Sequence, residues 1–344
     1  MVNTKWASGE EVYFLYNKTS LEQIQNCTTF HRSIYIGYQS DQNSWRDNDT
    51  GVNDTTLDFG AITHIKGDLM LKASYLAYET ILAKNLKQVD GSLIIEHSKF
   101  LEEINMPALI SVGQSYSTDG RFAFNLIALP MLQNATFSSE GVIVSFPINV
   151  TAVRAVEIQK TALRKVDFLR SDNMPADNLD EIFILDNPQL SEINLPGLTG
   201  GVGDLEIRAN SPNLKVTMAK LQSGRDFAIS NVESLSLPEL QDVAGAFKLI
   251  NNNLTSLNFQ RLRLVRNELE ISENLVLNEV RLNNLAVLGD SNGKPAPGSS
   301  LPYGNLRMDN NPKLRLVLLD VLEKVSGSLR ISGIFDRYVT LWKP

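Results

Sequence analysis

One cysteine, Cys27, stands in 344 residues, so an internal disulfide and a zinc site built from several cysteines are both excluded. A secreted chain with one unpaired cysteine is unusual; either the protein is cytosolic or the partner of Cys27 lies outside this chain. Basic residues are also short: 32 Lys and Arg face 39 Asp and Glu, a net charge of −7. That balance leaves no electropositive footprint for nucleic acid or an anionic membrane. Long apolar runs are missing too. The most apolar stretch, residues 141–156 (GVIVSFPINVTAVRAV), is too short to span a bilayer and is interrupted by Pro147 and Asn149. The opening MVNTKWASGEEVYFLYNKTS has no uninterrupted apolar segment, so it does not read as a signal peptide. No GxGxxG, P-loop, GxSxG or HExxH motif occurs, and no cofactor is expected.

What is present is ordinary for a folded protein. The chain is 43% hydrophobic and 21% charged, with 21 Gly and 13 Pro, which excludes a disordered or collagen-like chain. Seven N-x-S/T sequons begin at Asn17, Asn26, Asn48, Asn53, Asn134, Asn149 and Asn253, against about four expected by chance from this composition. The excess favours a secretory route and makes those seven asparagines candidate N-glycosylation sites.

The organising signal is a repeat. An apolar–x–apolar unit returns at Leu69/Leu71, Leu93/Ile95, Val156/Ile158, Ile182/Ile184, Leu205/Ile207, Phe227/Ile229, Phe247/Leu249, Leu269/Ile271, Leu306/Met308 and Leu329/Ile331. From Ile182 to Leu269 the steps are 23, 22, 20 and 22 residues, and the next step is 37. The surplus falls in residues 289–304 (GDSNGKPAPGSSLPYG), whose Gly, Pro and Ser content reads as a loop inserted into one repeat. Each unit continues through an Asn-containing turn to a second apolar–x–apolar element, commonly ending Leu-Pro-x-Leu, as in IFILDNPQLSEINLPGL from Ile182. Alternation of period 2 over three to five residues indicates strands.

A unit of roughly 22 residues with two short strands cannot bury its own apolar side. Ordering a residue costs about 1–2 kcal/mol, whereas a buried Leu or Ile returns about 1.5–3 kcal/mol. Stacking the copies makes the balance favourable, because each strand then pairs above and below. The expected fold is an all-β, right-handed parallel β-helix, with Asn187, Asn251 and Asn311 satisfying backbone groups at the turns. Residues 1–30 form an N-terminal cap segment and 31–344 the solenoid, which divides into two halves meeting near 150–180. The residues between the inward positions face solvent; Glu206, Lys248, Glu270 and Arg307 alternate in sign there, with no binding stripe.

Candidate chemistry is sparse. His31, His64 and His97 lie in separate coils and read as polar turn residues, not as metal ligands or catalysts. Glu102/Glu103 and Asp180/Glu181 point in opposite directions on an extended chain and form no acid–base pair. The stretch DQNSWRDNDTGVNDTTLD, residues 41–58, places Gly51 one position too early for an EF-hand loop and carries two sequons. It reads as an exposed glycosylated loop, with calcium binding the alternative. Trp6, Trp45 and Trp342 lie outside the regular coils, while Tyr13, Tyr16, Tyr35, Tyr38, Tyr75 and Tyr78 crowd the first quarter as cap packing or, alternatively, a sugar platform.

The segments GSLIIEHSKFLEEINMPALISVG, SLPELQDVAGAFKLINNNLTSL and VSGSLRISGIFDRYVTL carry a resemblance, as does LEQIQNCTTFHRSIYIG at residues 21–37. They resemble the fungal GPI-anchored cell-wall-organisation proteins whose repeats are similar to receptor L-domains and leucine-rich repeats. The resemblance implies a secreted, N-glycosylated, non-enzymatic protein of the plasma membrane or wall. It also implies a missing N-terminal cysteine as the partner of Cys27, a leading signal peptide, and a trailing Ser-rich stalk and GPI signal, so that this chain is expected to be a truncated piece. Membrane association would come only through that absent anchor. Wall polysaccharide or wall and membrane proteins are the expected partners. A ligand-binding receptor-like ectodomain is the alternative, with a β-helix polysaccharide lyase or hydrolase behind it, since such enzymes cluster acids and bases around a groove.

Overall fold

The computed structural model describes residues 3–5, 11–15, 21–37, 55–72, 78–113, 122–129, 131–136, 142–144, 154–167, 169–171, 179–199, 202–289, 304–335 and 340–341. They are nearly all strand and turn, and the strands pair almost entirely in parallel. The chain forms two compact units: Met1–Arg170 with Asp186–Gln189, and Ser171–Leu185 with Leu190–Pro344.

In the first unit the expected strands at Leu69, Leu93 and Val156 stack in register with two that the repeat reading did not include, at Ile34 and Phe124. Ile34, Leu69, Leu93, Phe124 and Val156 pair in succession, as do Ile36, Leu71, Ile95, Leu126 and Ile158. Every one is buried. A second face stacks Thr56–Asp58, Thr80–Leu82, Glu103–Asn105 and Asn134–Thr136, burying Leu57, Ile81 and Ile104. A third face pairs strands of two or three residues and buries Phe30, Ile65, Val89 and Val112. Each coil therefore has three strands, not two. A two-residue strand offers one inward side chain and no alternation to read, which is why the third was not expected. At its start the first face is bordered by Asn3–Lys5, antiparallel to Glu11–Leu15, which in turn pairs in parallel with Ser33–Gly37.

The second unit repeats the plan. Ile182, Leu205, Phe227, Phe247, Leu269 and Leu306 form one inward column, and none is more than 1% exposed. Ile184, Ile207, Ile229, Leu249 and Ile271 form the next. Phe227 and Phe247 meet edge to face at 5.7 Å, and Phe247 meets Phe259 at 5.2 Å, an arrangement that suits the ring quadrupoles. Leu257, Val280 and Val317 line the second face, and Val243, Val265, Leu288 and Val325 the third.

The corner after each first-face strand has a fixed grammar. His97, Lys160, Asp186, Ala209, Asn231, Asn251, Glu273 and Asn310 all take φ between 53° and 61°, the left-handed region. In most coils a buried polar residue follows at once: Ser98, Thr161, Asn187, Asn210, Asn252, Asn274 and Asn311. In the second unit Asn252 Nδ2 donates to the Ile229 carbonyl at 3.1 Å, Asn274 to that of Leu249 at 3.0 Å and Asn311 to that of Ile271 at 2.7 Å. Each side-chain oxygen accepts a backbone N–H from the preceding coil: Val232 to Asn252, Asn252 to Asn274 and Asn274 to Asn311. These asparagines satisfy backbone groups that the turn removes from the sheet. The expectation for Asn187 and Asn311 holds, with Asn187 bonding Thr161 and Ile158. Asn251 is a correction: it is exposed and supplies the left-handed turn, while its neighbour Asn252 enters the interior.

The inserted segment leaves and rejoins the second unit through two glycines. Gly289 donates its N–H to the Val265 carbonyl and Gly304 to that of Asn267. Gly304 has φ +75°, and a Cβ there would lie 2.4 Å from the Leu288 carbonyl oxygen, so only glycine fits. Residues 290–303 lie outside the described residues.

Candidate functional site

The outward side of the first face departs from expectation in the first unit. Tyr35, Met70 and Ile94 are cross-strand neighbours pointing away from the interior. Met70 is only 4% and Ile94 2% exposed, with Tyr35 packed against them. Phe14 meets Tyr35 edge to face at 5.3 Å. This strip is thus an apolar cluster and not a solvated face. Burial, reinforced by the negative charge of Glu96, raises the Tyr35 hydroxyl above its ordinary pKa.

In the second unit the outward column runs Glu206, Ala228, Lys248, Glu270, Arg307 and Arg330 in cross-strand register, as the alternation indicates. Charges in it and beside it are paired: Glu206 with Arg208, Lys248 with Glu268 at 3.4 Å, Arg307 with Glu270 at 3.2 Å, and the neighbouring Arg225 with Asp204 at 2.7 Å. Arg307 and Arg330 both reach Asp309 at 2.8 Å. Glu270 and Asp309 are nevertheless buried, so the column is less solvated than its sequence suggests. The Arg307 hydrogen bond holds the Asp309 carboxyl below the usual aspartate range.

The individual candidates divide as follows. His31 is exposed, and His97 holds a left-handed turn. His64 is not a turn residue: it lies in a third-face strand, and its Nε2 sits 2.7 Å from Asp90 Oδ1, in the next coil. Gln88 Nε2 donates to the same oxygen at 2.6 Å, and Lys66 lies 3.5 Å from the other. Sequence distance hid this pair, since 26 residues separate its members. Glu102 is exposed and Glu103 half-buried, beside the inward Ile104. Among the described residues no group of three or more His, Cys, Asp or Glu is placed to hold a metal ion. Cys27 is half-buried and free. Tyr13 stacks edge to face on Phe30 at 5.4 Å and donates to Gln23 Oε1, an interior packing role.

Of the sequon asparagines, Asn26 and Asn253 are exposed, and Asn253 Nδ2 donates to the Pro212 carbonyl at 3.1 Å. Asn134 opens the strand Asn134–Thr136. Asn17, Asn48, Asn53 and Asn149 lie outside the described residues, as do Trp6, Trp45, Trp342, Tyr16, Tyr38, Tyr75 and most of residues 41–58, whereas Asp180 lies in the strand Leu179–Leu185. Among the described residues no helix is long and apolar enough to cross a membrane.

Stacked leucine-rich coils with asparagine-bonded corners define the chain as a parallel β-solenoid. Its relatives include fungal proteins named for the cell surface and the cell wall. Over 282 residues it is 22% identical to "Sporulation-specific protein 2" of Saccharomyces cerevisiae, covering 82% of this chain and 48% of that one. It is 24% identical over 283 residues to "Cell surface GPI-anchored protein" of Arthroderma benhamiae, covering 78% and 70%. With "Cell wall mannoprotein PST1" of Saccharomyces cerevisiae it shares 26% identity over 251 residues, 69% of this chain and 49% of that protein. The chain thus spans about half the length of two of these three relatives. No family profile and no solved structure matches it.

Proposed function

We propose that this chain is the solenoid of an extracellular, N-glycosylated protein held at the fungal cell wall or the outer face of the plasma membrane, where it supports wall organisation without catalysis. One observation carries the reading: relatives named for the wall and for a GPI anchor align along 69% to 78% of the chain. The three relatives carry no enzymatic name. Membrane anchoring is an analogy with the Arthroderma benhamiae protein and belongs to the whole gene product.

Deleting the gene and challenging the mutant with wall-perturbing dyes tests the role. Hypersensitivity and altered wall architecture are expected, with the tagged protein at the cell surface. Wild-type dye tolerance together with an intracellular tag would sink the reading. Turnover of pectin or glucan by the purified chain would overturn its non-enzymatic part.

A further inference from the structure

On the second face of the second unit an open groove of about 450 Å³ is lined by Asn258, Gln260, Arg261, Arg281, Asn283 and Asn284. Two neighbouring coils build it. Asn258 closes the strand Ser256–Asn258, Arg281 closes Glu279–Arg281, and the two are cross-strand partners. The rest come from the turns that follow. The groove thus presents two rows of similar groups, one coil apart, a spacing of about 4.8 Å.

Its chemistry is narrow: four carboxamides, two guanidiniums and no aromatic ring. Both arginines are already matched, Arg261 by Glu239 of the preceding coil and Arg281 by Glu279 of its own strand. Asn283 Nδ2 donates to Asp320 Oδ2 at 2.9 Å, and Asn284 Nδ2 donates to the Gln260 carbonyl. These bonds fix the two amides and leave their oxygens as acceptors. Among the described residues the side-chain amides of Asn258 and Gln260 have no hydrogen-bond partner, and both are exposed. A carboxamide offers one donor group and one acceptor, which is what a hydroxyl, itself donor and acceptor, requires. With each guanidinium balanced by a carboxylate, the groove has no surplus charge to reward an anion.

We propose that this groove binds a neutral linear glycan, its sugar hydroxyls spanning the two amide rows along the stacking direction. The inference rests on the wall reading only for the choice of sugars to try. With no ring to stack on, each sugar is held by hydrogen bonds alone, so binding is weak per unit and gains from a long polymer.

The test is depletion of the purified full chain from solution by insoluble β-1,3-glucan, by chitin, and by polyphosphate-coated beads, comparing wild type with N258A/Q260A. The two amides make no hydrogen bond among the described residues, so the double variant keeps the wild-type melting temperature. Wild type is expected to bind one or both neutral glycans more tightly than polyphosphate, and the double variant to bind them about five- to tenfold more weakly. Lys248→Ala, on the first face, binds like wild type. The proposal is overturned if neither neutral glycan retains the wild type, if N258A/Q260A binds equally, or if polyphosphate is preferred. Wild-type protein located at the wall but retained by no glycan refutes the groove alone. A chain that never reaches the wall refutes the wall role, and retention in vitro still decides the groove.

Discussion

Asn274 donates its backbone N–H to the side-chain oxygen of Asn311 at 3.0 Å, although 37 residues separate them. The same bond joins Asn252 to Asn274 across 22 residues. The ladder is therefore set by position in the coil and not by distance along the chain, and it keeps its register across the insertion that separates two of its rungs.

Replacing a rung removes several bonds at once. Asn274 Nδ2 donates to the Leu249 and Ser272 carbonyls, while its oxygen accepts from Asn252. Asn274→Ala leaves those buried groups unpaired and should cost about 2–4 kcal/mol in urea denaturation. Asn251→Ala, at the exposed turn, should cost about 1 kcal/mol, the strain of a left-handed alanine. Equal losses would show that the ladder carries no special weight.

A second prediction concerns Glu273, exposed with φ 60° and placed immediately before a rung. Its backbone N–H donates to the Asp309 carbonyl, a bond that survives loss of the side chain. Glu273→Gly relieves the left-handed strain and should raise stability by about 0.5–1 kcal/mol, read as a higher melting temperature. A lower one would contradict the account of the corner.

Acid sensitivity follows from Asp309, whose side chain is only 4% exposed between Arg307 and Arg330. Its folded pKa lies below the unfolded value of 3.8, so the stabilisation is complete above that value and fades as the pH falls through the folded one. Denaturation curves from pH 6 to pH 2 should therefore show Asp309→Asn losing less stability than wild type at the acid end. Parallel curves would mean that the arginine pairing contributes nothing.

For glycosylation, Asn26 and Asn253 present exposed side chains at turns. An attached glycan leaves one N–H on the Asn253 amide, enough to keep the bond to Pro212. The chain secreted from a fungal host should lose mass on endoglycosidase treatment, and Asn253→Gln should remove one glycan from the total. An unchanged mass would show that neither sequon carries a glycan.

How far the sequence could be read depends on how many residues speak for each element. First-face strands announce themselves because inward pairs such as Leu205/Ile207 bracket a polar Glu206, and their columns emerge in the structure as expected. The third face was invisible, since Val243 or Val265 alone has no period. The corner was misread by one position because three consecutive asparagines, 251 to 253, are interchangeable in composition and differ only in φ and burial. Alternation also sorts inside from outside without saying what lies against the outer side, so the burial of Met70 and Ile94 was missed. His64 and Asp90 came together only through the coil repeat.

Gly289 and Gly304 finally set where this scaffold can change. A Cβ built on Gly304 would lie 2.7 Å from the Gly289 Cα, so the chain that leaves the coil at Gly289 returns beside it at Gly304. Lengthening such a detour adds little entropic cost and breaks no rung. Sequence there can drift, grow or be swapped for a foreign tag while the staircase beneath stays intact, which makes this doorway the natural place for related wall proteins to differ.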